Sequence, residues 1–202
     1  HPLFEEAGLD AVPFAHPELD RWRHNFTGVR WLDDETGWTL FGAIDDLWQA
    51  DTGELIVADY KATARAEQPT TEKLYPSYQR QMDVYQFLVR RQGFEVSDRG
   101  WFVYANGDAR AGAFEGRLRF TTTMVPYDGD DAWVLDEFRR AVAIVEGPDI
   151  PQAGEDSRER AADQVRGVAV HLGSVETPDV VRLEDPGGWS RVHRLNSPSS
   201  AS

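Results

Sequence analysis

The stretch ELIVADYKAT, residues 54–63, opens as a buried strand and closes on residues that a buried strand rarely carries. Leu55, Ile56, Val57 and Ala58 are apolar; Asp59, Tyr60 and Lys61 follow at once. Charges are seldom fully buried unless paired or bound. Either the strand ends in solvent, or the acid and the lysine share a task. The connection upstream bears on that choice. Asp51-Thr52-Gly53 separates this strand from the run Trp38–Trp48, which reads as the preceding strand. Three loop residues with Gly last suit a type I turn followed by a left-handed residue. Ala50 then pairs with Glu54, and counting along the ladder sets Asp45 opposite Asp59 and Ala43 opposite Lys61. Directly opposed residues share a face, with Cβ atoms roughly 4.5–5.5 Å apart. Lys61, two residues from Asp59, joins them. A slip of one residue would bring Asp46 to the site in place of Asp45.

Two carboxylates so close repel unless a proton or a cation lies between them. A hard divalent cation such as Mg²⁺ takes oxygen ligands and often uses one or two carboxylates plus water. Lys61 beside it could orient a water or stabilise developing negative charge. These groups suit hydrolysis of a phosphodiester. A plain surface salt bridge between Asp59 and Lys61 would explain the pair without any chemistry.

The 202 residues suit one generous domain with a tail. No apolar run approaches membrane-spanning length, and no N-terminal pattern suggests a secretory leader. Starting at His1, the chain reads as trimmed. Cysteine is absent, which excludes disulfides, thiolate metal sites and a cysteine nucleophile, and fits a reducing, cytoplasmic setting. Net charge is −14, against a non-specific nucleic-acid coat. The average conceals a pattern: residues 1–60 carry 3 basic and 13 acidic side chains, residues 61–127 carry 10 and 7, and residues 128–202 carry 8 and 15. A polyanion would find its place on the middle segment.

Residues 1–26 read as an irregular, partly helical lead-in broken by Pro2, Pro13 and Pro17. Strands are expected at Gly28–Leu32, Trp38–Trp48, Glu54–Lys61, Trp101–Ala105 and Leu118–Val125, and helices at Pro76–Gln92 and Asp130–Val145. Residues 148–202 read as a polar, partly disordered extension. The domain proper is placed at 27–147. The order predicts an α/β fold, a mixed sheet with helices packed on it.

GAIDDL (42–47), ADYKAT (58–63) and YQRQMDVYQFL (78–88) together resemble the PD-(D/E)XK nuclease superfamily, in particular the branch of the RecB nuclease domain and the CRISPR-associated exonucleases. That branch places Gly-x-x-Asp on one strand, Asp/Glu-x-Lys on the next and Gln-x-x-x-Tyr on the following helix. The likeness covers residues 16–146 and implies a restriction-endonuclease-like core in αβββαβ order. It implies that Asp45, Asp59 and the Tyr60 carbonyl hold Mg²⁺ or Mn²⁺. Lys61 would contact the attacking water and the phosphate. Gln81 would stand near the site, and Tyr85 would support it or touch substrate. His16, Glu18 and His24 are candidates for a further ligand, His16 foremost. Lys73, Arg80, Arg90, Arg91, Arg110, Arg117 and Arg119 are candidate phosphate contacts, and Trp101, Tyr104 and Tyr127 candidate stacking residues. Gln79 and Gln86 read as solvated-face residues. Many relatives carry a C-terminal cysteine cluster holding an iron–sulfur centre; this sequence has no Cys, and Ile150–Gln164 stands in its place with no metal-ligand pattern. The implied activity is metal-dependent hydrolysis of DNA, at single strands or ends, with a helicase or CRISPR-type partner. The alternative is an inactive nuclease-fold module that binds nucleic acid or protein.

Overall fold

The computed structural model describes residues 4–5, 7–108 and 119–148. They run β1 (Ala11–Pro13), α1 (Leu19–Arg23), β2 (Val29–Leu32), β3 (Thr39–Gly42), β4 (Asp46–Ala50), β5 (Leu55–Thr63), a 3-10 turn (Thr71–Lys73), α2 (Pro76–Arg90), β6 (Arg99–Gly107), β7 (Phe120–Asp128) and α3 (Val134–Glu146). Five strands form one mixed sheet in the order β1-β4-β5-β6-β7, while β2 and β3 make a separate antiparallel pair. Strands β5 and β6 run parallel, and α2 is the crossover such a pair requires. The expected mixed sheet with flanking helices is present. The reading of 148–202, including Ile150–Gln164, falls almost wholly outside the described residues.

The β4–β5 hairpin forms in the expected register. Asp46 pairs with Ala58, Leu47 with Val57 and Trp48 with Ile56. The Ala50 amide donates to the Glu54 carbonyl at 2.9 Å, and Gly53 takes the left-handed conformation the turn demands, at φ 92°.

The single strand expected over Trp38–Trp48 is instead two strands in different sheets. The chain turns between Gly42 and Asp46. A Cβ at Gly42 would lie 2.8 Å from Cε1 of Tyr85 on α2, so only glycine lets the strand reach the helix there. Ile44 is fully buried, and its amide donates to the Trp22 carbonyl at 3.2 Å. The lead-in is likewise part of the core. Val12 pairs with Gln49 through β1, and Leu19 and Trp22 of α1 are buried.

Helix α2 begins at Pro76, which suits a first turn, and Gly93 follows its end at φ 90°. Every residue from Gln81 to Val89 is buried. The sheet covers one side of α2, and β2, β3 and α3 approach from others. Gln86 therefore does not face solvent as expected. It is fully buried and donates from Nε2 to the carbonyls of Ser97 (3.1 Å) and Asp98 (2.8 Å). Asp83, equally internal, accepts from Tyr127 Oη (3.1 Å), Trp133 Nε1 (2.9 Å) and the Asp130 amide (3.2 Å). Asp33, at the β2–β3 turn, is latched to α3 by Arg139 at 2.8 and 2.9 Å.

The Gly42 contact yields a prediction. Gly42→Ala should destabilise the protein by about 1–3 kcal/mol, the usual cost of overpacking. Thermal melting checks it: an unchanged midpoint would mean that Tyr85 yields freely.

Candidate active site

The site lies where β4 and β5 part. Their ladder ends at Asp46–Ala58, while β5 continues beside β6 to Thr63. Past Ala58 the β4 side of β5 is open. Asp45 fills the gap, its Oδ2 accepting the Tyr60 amide at 2.7 Å. A residue's N–H and C=O point to the same side of a strand, so the Tyr60 carbonyl faces this opening too.

Strand parity sorts the remaining groups. Asp59 and Lys61 point toward α2, on the face of Leu55 and Val57. Lys61 Nζ lies 2.5 Å from Asp59 Oδ2 as an ion pair, and donates to Gln81 Oε1 at 2.9 Å. Gln81 Nε2 in turn donates to Tyr85 Oη at 2.8 Å. Nζ also sits 4.4 Å from the centroid of the Tyr78 ring, a cation–π contact. The ammonium is thus held from three directions. Asp46 belongs to the other face. Its carboxylate takes Arg23 Nη2, Trp48 Nε1 (3.2 Å) and Tyr60 Oη (3.0 Å).

Burial pushes the Asp59 carboxyl up to about 6; Lys61 pulls it down, and Asp45 adds to the rise. The native state therefore holds this proton more tightly than the unfolded chain does. Between the ordinary carboxylate range and pH about 6, stability falls as pH rises, and above pH 6 the whole penalty is present. Asp59→Asn should stabilise the metal-free protein at pH 7 by on the order of 2 kcal/mol, a little under the full shift because Lys61 loses its partner. The gain should vanish near pH 4. Chemical denaturation at both pH values checks this; destabilisation at pH 7 would contradict it.

The donor set fits a hard divalent cation. Asp59 is buried, and its Oδ2 has no partner in hydrogen-bond geometry despite the nearby ammonium. Asp45 and the Tyr60 carbonyl add oxygen donors at the opening. No group of three His, Cys, Asp or Glu gathers among the described residues. Water and substrate would complete the coordination, as Mg²⁺ commonly allows.

The other candidates fall in different places. His16 is not brought to the carboxylates. It stacks between Phe14 (5.7 Å) and Trp22 (4.9 Å), and its Nδ1 accepts the Glu18 amide. Glu18 pairs with Arg21, and His24 Nδ1 accepts the Phe26 amide. Tyr85, at 5% exposure, accepts from Gln81 Nε2 through its hydroxyl. Lys73 pairs with Glu67 beside a groove next to the site, and Arg80 is exposed on α2. Arg90 pairs with Asp98 and Asp131, and the exposed Arg91 lies over Trp31 and Phe87. Arg110 and Arg117 lie outside the described residues, and Arg119 is exposed. Trp101 is buried, and the Tyr127 hydroxyl is spent on Asp83; only Tyr104 of the stacking candidates lines the groove. Sequence reasoning missed Tyr78. Its signal was there, one turn before Gln81 on the same helix face, but an aromatic at that spacing reads as core.

Two carboxylates, a lysine and a helix glutamine thus converge at the opening of a mixed sheet. The chain belongs to the PD-(D/E)XK nuclease superfamily, whose family model matches residues 3–172. Its sheet and flanking helices are the restriction-endonuclease-like core of that superfamily, whose members are generally nucleases using divalent metal ions. Comparison with curated proteins and with solved structures gave no significant match. No described helix is long and apolar enough to cross a membrane.

Proposed function

We propose that this chain is a Mg²⁺- or Mn²⁺-dependent deoxyribonuclease of the RecB-like, CRISPR-associated exonuclease kind, acting on single strands or DNA ends. The observation that carries it is the connected set Asp45, Asp59, Lys61 and Gln81 at the parting of β4 and β5. A bound divalent cation supplies Lewis acidity, polarising the phosphate and acidifying water. Asp45 and Asp59 would hold it, with the Tyr60 carbonyl. Lys61 Nζ would contact the attacking water and a non-bridging phosphate oxygen, stabilising charge as one P–O bond forms and another breaks. Gln81 keeps Nζ in place, Tyr85 keeps Gln81, and Gly42 leaves room for Tyr85. A helicase or CRISPR-type partner is part of the same proposal and would present strand ends.

Incubating the protein with end-labelled DNA and Mg²⁺, Mn²⁺ or chelator tests the reading. Cleavage that chelator stops supports it. A second reading, a module that binds without cutting, is favoured by the lack of a third acidic or histidine ligand among the described residues. Binding of DNA without cleavage under every metal condition would select it.

A further inference from the structure

Beyond Lys61, β5 runs into a groove of about 500 Å³ whose lining includes Arg65, Glu67, Lys73, Tyr75, Tyr78 and Tyr104, with Glu67 paired to Lys73. Such a volume suits a small ligand, since those sites span roughly 300–1,000 Å³. Four side chains make a continuous line from the site into this groove. Lys61 Nζ lies over the Tyr78 ring. Tyr78 meets Tyr75 edge to face at 5.4 Å. The Arg65 guanidinium sits 4.8 Å from the Tyr75 centroid. Cations bracket the two aromatic rings.

The wall that carries Arg65 is built firmly. Asn106, buried on β6, accepts the Arg65 amide at 3.0 Å and donates to the Arg65 carbonyl at 3.0 Å. Farther along, Thr123 Oγ1 donates to Gln68 Oε1 at 3.0 Å, and Thr71 Oγ1 to the Pro126 carbonyl at 3.1 Å. The segment is therefore stitched to β6 and β7 along its length. Arg65 has no carboxylate partner among the described residues, a condition it shares with Arg30, Arg80, Arg91 and Arg119, but of these five only Arg65 lines the groove. In a chain of net charge −14, an exposed guanidinium with no acid, on a backbone that Asn106 fixes at the edge of the groove, is placed to meet an anion from outside.

We propose that this groove is a subsite for one unpaired nucleotide beside the scissile phosphate, with its base against the tyrosine rings and its phosphate at Arg65. The proposal rests on the nuclease reading of the adjoining site. Bases inside a duplex are covered on both faces by their neighbours; an unstacked base offers the open face that tyrosine needs. Ring faces and phosphate are common to DNA and RNA, so the subsite selects strandedness and not the sugar.

Fluorescence anisotropy of the full chain in chelator separates binding from cleavage. The probes are short labelled oligodeoxyribonucleotides and oligoribonucleotides, and the matching duplex. Tyr75→Ala and Arg65→Glu should each weaken single-strand binding about tenfold, and Arg65→Ala should lower its salt dependence by about one phosphate contact. Arg65 is exposed, so its variants test the groove even if Tyr75→Ala misfolds. Loss with either sugar supports the subsite. Unchanged binding in the Arg65 variants overturns it, as does a duplex bound as tightly as the single strand. Metal-dependent cleavage with unchanged binding in the variants would sink the subsite alone. Weakened binding in a protein that never cuts would sink the nuclease reading alone. A wild-type chain that binds no oligonucleotide would sink both.

Discussion

Lys61→Ala should lower metal-dependent cleavage by about a thousandfold, the upper range for loss of one preorganised donor to a developing oxyanion. The lysine is held too well to be incidental. Its side chain is 14% exposed, and Asp59, Gln81 and the Tyr78 ring fix the ammonium from three sides. An isolated surface salt bridge would need none of the last two, and such a bridge contributes little to stability. The variant should fold, because removing a side chain at the open end of β5 leaves Leu55, Val57 and Phe102 in place beneath it. A cooperative melting transition, with its midpoint lowered because Asp59 loses its ion partner, together with cleavage assays on labelled DNA, checks both halves. Cleavage near the wild-type rate would remove Lys61 from the chemistry.

Asp45→Ala should abolish calorimetrically detectable Mn²⁺ binding, weakening it at least about a hundredfold, while Asp46→Ala should leave it nearly unchanged. Losing one of two protein carboxylates removes half the fixed negative charge of the site, and few-ligand Mg²⁺-type sites have no spare donor. The neighbouring acid cannot substitute. Asp46 points to the opposite face, where Arg23, Trp48 and Tyr60 occupy its oxygens. Asp46→Ala should instead cost stability, by about 1–3 kcal/mol, since it strands those donors. Equal loss of Mn²⁺ binding in both variants would contradict this division of labour.

The separate placement of Asp45 and Asp46 was legible in the hairpin. A three-residue turn ending in Gly53 set the register, and the register put Asp45 on the face of Asp59. The choice between Asp45 and Asp46 stayed open in sequence because a one-residue slip exchanges the faces. The kink that ends β3 was not legible. Gly42 inside a strand-like run signals a bend only when Tyr85, forty-three positions later, is known to press against it. Strand β1 is three residues long and has too few positions to show a period. Gln86 read as a solvated-face residue, and Asp83, also on α2, drew no reading of its own. Their partners come from the β6 entry and the β7–α3 connection, which local pattern does not reveal. Arg65 likewise gained its meaning from Asn106, on a strand forty-one residues away.

The most direct measurement is cleavage of end-labelled single- and double-stranded DNA by wild type and Lys61→Ala, each with Mg²⁺, Mn²⁺ or chelator. The predicted result is metal-dependent cutting by wild type, strongest on single strands or ends, stopped by chelator and lost in the variant. Cutting that survives chelator, or that Lys61→Ala performs as well as wild type, would contradict a nuclease site built on Asp45, Asp59 and Lys61.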